Sequence, residues 1–119
     1  MTTKTETIPD DVKNDVKTVI NALWRALETG DFTIEITHDV VAVKTWDIKA
    51  YIDYKGMRIM YKDLYIIYRD YVARVQVFRM PHDYPDEYYA HEYWDTLYEL
   101  HELALETVKD RIKSALIKL

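Results

Sequence analysis

Apolar residues at Val12, Val16, Val19, Ile20, Leu23 and Leu27 fall three and four apart and draw one stripe along a helix. Pro9 suits the first helical position, Asp10 and Asp11 suit the positive end of the dipole, and Gly30 is a stop. A helix is therefore expected over 9–29, lying on a sheet by its stripe. From Asp31 the period changes to two. Phe32, Ile34 and Ile36 alternate with Thr33, Glu35 and Thr37, and Trp46, Ile48, Ala50, Ile52 and Tyr54 alternate with Asp47, Lys49, Tyr51 and Asp53. Lys55-Gly56 is the expected hairpin turn, setting Tyr54 opposite Met57, Asp53 opposite Arg58 and Ile52 opposite Ile59. Lys62-Asp63 and Arg69-Asp70 break the chain beyond, so 32–80 reads as an antiparallel meander of four or five strands.

Pro81 and Pro85 end that sheet, and no glycine or proline follows. With Asp86 and Glu87 in its first turn, a helix over 85–118 would be about 50 Å long, against about 35 Å for the diameter of a compact domain of this size. Its stripe runs through Tyr93, Leu97, Leu100, Ala104, Val108, Ile112, Ala115 and Leu119, widened by Trp94, Tyr98 and Leu105. So long a stripe exceeds what one small sheet covers, and a homodimer is expected through Trp94, Leu97, Tyr98, Leu105, Val108 and Ile112. The fold class is a two-layer α+β single domain: N-terminal helix, antiparallel meander, long C-terminal helix.

Charge changes that picture by its distribution. The 119 residues carry net −5, but residues 1–39 carry −4, 40–80 carry +4 and 81–119 carry −5. The strands are basic and both helical segments acidic. In the last helix Glu92, Asp95, Glu99, Glu102 and Glu106 recur at three and four as one acidic ridge, and no Lys or Arg occurs between Arg79 and Lys109. A solvated face that complements the dipole explains such a ridge; so does a docking surface for a basic partner. Among the strands, Lys49, Tyr51, Arg58, Lys62 and Arg74 mix cations with an aromatic, a combination that stacks bases and neutralises phosphates. Tyr is also a favoured strand residue, and cations keep sheet edges soluble.

Composition removes much chemistry. There is no cysteine, so no disulfide, thiolate metal site or cysteine nucleophile. The only serine, Ser114, falls near the end of the last helix, and two glycines build neither a P-loop nor a dinucleotide fingerprint. His91-Glu92 and His101-Glu102 begin like a zinc-protease helix but lack its second histidine. Glu87, His91 and Asp95 at i, i+4 and i+8, with His82 near, would put possible metal ligands on one helix face, and Tyr84, Tyr88, Tyr89 and Tyr93 with Trp94 would line a pocket or a packed contact. Neither is specific, and no cofactor or metal is assigned.

The longest apolar run, Leu64 to Tyr68, is far short of the roughly 20 residues that span a bilayer, and the polar N-terminus lacks a signal-peptide core. A cytoplasmic protein is expected. Few Asn and Gln, few Gly and many charges suit a hot environment. Abundant Tyr, Ile, Lys, Asp and Glu resemble the compositional style of small accessory proteins of viruses infecting hot-acid archaea, which implies host cytoplasm. The reading is a non-catalytic interaction or inhibitor protein that docks an unidentified basic protein through its acidic helix. The alternative is a nucleic-acid-binding protein using its basic, tyrosine-rich sheet.

Overall fold

The structure, a computed structural model, describes residues 8–38, 40–70, 74–80 and 86–117, with backbone alone at 74, 86 and 115–117. The proposed boundary over 81–85, His82, Tyr84, and the expected ends of the last helix at Pro85 and Lys118 lie outside them. Helix α1, Asp10–Thr29, buries Val12, Val16, Val19, Ile20, Leu23, Ala26 and Leu27, the expected stripe with Ala26 added. Pro9 sits one residue earlier than expected, as N-cap, its carbonyl accepting from the Lys13 N–H at 2.9 Å. Gly30 takes the left-handed conformation (φ 82°) and donates its N–H to the Ala26 carbonyl, closing the helix.

Seven strands follow in chain order, each antiparallel to the next: β1 (Thr33–Thr37), β2 (Val40–Lys44), β3 (Ile48–Asp53), β4 (Gly56–Tyr61), β5 (Leu64–Arg69), β6 (Arg74–Arg79) and β7 (Asp86–Tyr89). A 3-10 turn over His91–Tyr93 then leads into helix α2, Trp94–Ile117. The α+β class and meander stand as expected, with more strands than four or five. The long helix begins at Trp94, not Pro85, because Asp86 and Glu87 pair with β6 as strand residues: Asp86 stands opposite Arg79 and Glu87 opposite Phe78, with Gln76 Nε2 donating to Glu87 at 2.9 Å. At 24 residues α2 is about 36 Å long.

The β3–β4 register also differs. Ile52 faces Met57, Asp53 faces Gly56 and Tyr51 faces Arg58, so the turn residues are Tyr54-Lys55. Asp53 fixes that turn, its Oδ1 accepting from the N–H of Lys55 at 2.7 Å and of Gly56 at 3.0 Å. The shift is two positions, so every side chain stays on its expected face.

Both helices lie on one side of the sheet. Val43, Ile48, Ala50, Ile52, Met57, Ile59, Leu64, Ile66, Tyr68, Val75 and Val77 form the buried face beneath them, in one cluster with the α1 stripe and with Leu97, Leu100, Ala104 and Val108 of α2. Two arginines tie the layers. Arg79 bonds Asp15 of α1 and reaches Asp63 at 3.2 Å. Arg111 of α2 lies over the Phe32 ring at 4.1 Å and donates to the carbonyls of Gly30 at 3.0 Å and Phe32 at 3.3 Å, joining the ends of the two helices. Among the described residues no helix covers the other side of the sheet.

Candidate functional site: the open sheet face

Alternation along the strands decides what the open side presents. Lys49 and Tyr51 of β3, Arg58 and Met60 of β4, Tyr65 and Ile67 of β5, and Gln76 and Phe78 of β6 all point away from the helices, since their neighbours fill the core. Pairing sets them in two rows. One runs Ala42, Tyr51, Arg58, Ile67, Gln76; the other runs Lys44, Lys49, Met60, Tyr65, Phe78. Tyr51, Tyr65, Ile67 and Phe78 are half-buried and Met60 is 43% exposed, leaving an aromatic and apolar strip in contact with solvent.

Cations border that strip. Lys49 Nζ lies 5.1 Å and the Arg58 guanidinium 5.2 Å from the centre of the Tyr51 ring, so two positive groups share one aromatic ring. Hydrogen bonding to Tyr51 holds the Lys49 ammonium above its ordinary pKa, which keeps it charged. Tyr65 and Phe78 form a tilted ring pair with centroids 6.1 Å apart. Lys62, in the β4–β5 turn with a positive φ of 54°, extends over Tyr61 at 5.1 Å. Arg74 holds the register position opposite Arg69. Of the expected nucleic-acid residues, the fold thus brings Lys49, Tyr51 and Arg58 into one cluster.

The acidic ridge divides. Glu92 lies in the 3-10 turn, ahead of α2, and pairs with Lys13 at 3.4 Å. Asp95, Glu99, Glu102 and Glu106 line the exposed side of α2, and none has an ion pair among the described residues. The residues assigned to a dimer are largely spent within the chain. Leu97 and Val108 are core; Trp94, Leu105 and Ile112 are half-buried against it; Tyr98, stacked on Trp94 at 5.5 Å, is 38% exposed. The stripe is wide because α2 packs on both the sheet and α1.

The suggested metal triple is not on one helix face: Glu87 is in β7, His91 in the 3-10 turn and Asp95 in α2. Among the described residues no three His, Asp or Glu side chains gather as a metal site, and no helix is long and apolar enough to cross a membrane. His101 is buried, its Nε2 donating to the Asp53 carbonyl at 2.7 Å and its ring against Tyr68 at 5.4 Å, which makes it a pin between α2 and the end of β3. Tyr88 is half-buried against the core and Tyr93 is buried, so these two pack, whereas Tyr89, opposite Gln76, holds a register position on the open face.

Sequence reasoning missed Trp46. Its place in the alternation put it with the core-facing Ile48 and Ala50, whereas it sits in the β2–β3 turn, fully exposed at 100%. The polar pair around it, Thr45 and Asp47, was the available signal. No family model matches the chain, and neither a curated protein nor a solved structure matches it.

Proposed function

We propose that this protein is a non-catalytic binding domain whose open sheet face holds single-stranded nucleic acid. The observation that carries this reading is Tyr51 with Lys49 and Arg58 at its ring, on a face of aromatic and apolar side chains that no described element covers. Unstacked bases offer flat apolar faces to Tyr51, Tyr65 and Phe78, and the adjoining cations meet the phosphates. A duplex hides those faces, so single strands are favoured. The net charge of −5 opposes phosphate binding only if it is evenly spread. Here the negative residues lie mainly in the helical segments, and the local field over the strands is positive.

The test is anisotropy of a labelled ten-nucleotide oligothymidylate and oligouridylate with the intact protein. Arg58→Glu is expected to weaken binding at least tenfold with the fold unchanged by circular dichroism, since Arg58 is exposed. Undiminished affinity in that variant would remove the reading.

A second reading rests on the four exposed carboxylates Asp95, Glu99, Glu102 and Glu106, without an ion pair among the described residues, whose like charges along α2 are relieved by a basic protein partner. Changing both Glu99 and Glu102 to Lys is expected to abolish such a complex. A homodimer through α2 is left with Trp94, Tyr98, Leu105 and Ile112 as its surface, and a mass that stays monomeric at high concentration by light scattering would exclude it.

A further inference from the structure

The fully exposed Trp46 stands on a built turn. Thr45 donates its N–H to the Ile48 carbonyl at 2.9 Å and its hydroxyl to Asp47 Oδ1 at 3.4 Å, while Ile48 donates its N–H back to Thr45 Oγ1 at 3.1 Å. These bonds close the loop on itself and fix the backbone beneath the indole. A large apolar ring held in water by a well-bonded turn is a surface prepared for something flat.

On the open side the indole borders a groove of about 340 Å³ lined also by Lys44, Lys49, Lys62, Met60 and Asp47. Three ammonium groups against Asp47 and the Glu35 carboxylate paired with Lys44 leave the groove net positive, and Trp46 and Met60 give it apolar walls. Each lysine has only a surface partner: Lys44 pairs with Glu35 at 3.0 Å, Lys49 lies by Tyr51 and Lys62 by Tyr61. Such exposed contacts are weak and yield to a phosphate. The groove is continuous with the aromatic strip, because Lys44 pairs with Lys49 and Lys49 with Met60 in the row beside Tyr51 and Arg58.

We infer that this corner is a subsite for one nucleotide of the bound single strand, its base stacked on Trp46 and its phosphate among Lys44, Lys49 and Lys62. The inference rests on the nucleic-acid reading of the open face and adds the place where the strand leaves it. Flatness, apolar walls and positive charge together choose a nucleotide over an acidic peptide, which supplies the charge without the ring.

Two readouts on the same titration separate the inference from its foundation. Unlabelled ten-nucleotide oligothymidylate is added while tryptophan emission is followed, and anisotropy of the labelled strand reports binding independently. Base stacking is expected to quench the exposed, red-shifted Trp46 component. Trp46→Ala, which removes a side chain that supports no packing, is expected to weaken binding about tenfold, with Trp46→Phe recovering most of it. Binding by anisotropy with neither quenching nor loss in Trp46→Ala would overturn the corner and leave the open face standing. No binding by anisotropy would remove both.

Discussion

Gly56 begins β4 at a tight approach to β5. It faces Arg69 in the register, and a Cβ built on it would lie 2.1 Å from the Tyr68 carbonyl oxygen, a backbone atom that cannot swing aside. Gly56→Ala is therefore expected to cost about 3 kcal/mol, as overpacking of a tight site does, read as a lower urea midpoint with an unchanged slope. Tyr68 itself is 1% exposed. Burial pushes its phenol well above the ordinary 10.0, and the neighbouring Asp70 adds to the shift; burial raises Tyr93 too. Well below pH 10 the phenol is neutral in both folded and unfolded chains. As pH rises past 10 the unfolded chain ionises first, so the stability present at lower pH is lost as pH climbs towards the folded value. Urea unfolding between about pH 9.5 and 11.5 is expected to show this decline, shallower in Tyr68→Phe by up to about 1.4 kcal/mol per pH unit. An identical slope in the variant would place the alkaline sensitivity elsewhere.

At the scale of elements, Arg111 decides how firmly the far end of α2 is held. Its guanidinium covers Phe32 and satisfies the carbonyls of Gly30 and Phe32, where α1 has just ended. Arg111→Ala is expected to lower stability by about 1–2 kcal/mol in denaturant titrations, and Arg111→Lys by nearly as much, since an ammonium cannot reproduce the planar fork. What sequence shows of the elements depends on how each is held. The stripe of α1 is legible because one face is dry and the other wet. β2 is not, since Ala42 and Val43 are both buried and erase the alternation. The turns on either side of the sheet centre hide for another reason: His38 and Lys62 take positive φ (37° and 54°) without the glycine that would mark them. Asp86 and Glu87 after a proline imitate a helix start, and only their cross-strand partners in β6 make them strand.

Across the described residues, unpaired carboxylates line the outer side of α2, while Lys44, Lys49, Arg58 and Lys62 edge the open sheet, where Glu35 is paired with Lys44 and Glu87 accepts from Gln76. Four phosphates neutralised there give a slope of about −3 for the logarithm of affinity against the logarithm of salt concentration. An oligothymidylate titration from 50 to 200 mM salt is thus expected to lose about 50-fold in affinity, and a flat response would refute the open-face reading. The candidate cluster was legible because Lys49 and Tyr51 alternate cleanly with core residues. Trp46 was not, because a period-two pattern does not announce where its strand stops, and the turn is set by bonds among Thr45, Asp47 and Ile48.

The order of the sheet bears on how the protein is made. Each strand pairs only with its sequence neighbours, so hairpins can assemble one after another as a nascent chain emerges, with little loop entropy to overcome. The helical layer obeys a different schedule, for α1 precedes the sheet and α2 follows it. Until α2 is synthesised, the part of the apolar side of the sheet on which it packs has no cover. A polypeptide truncated before Trp94 would uncover Tyr68, whose ring lies against Trp94 and His101, together with the part of β3 under α2, and invite aggregation.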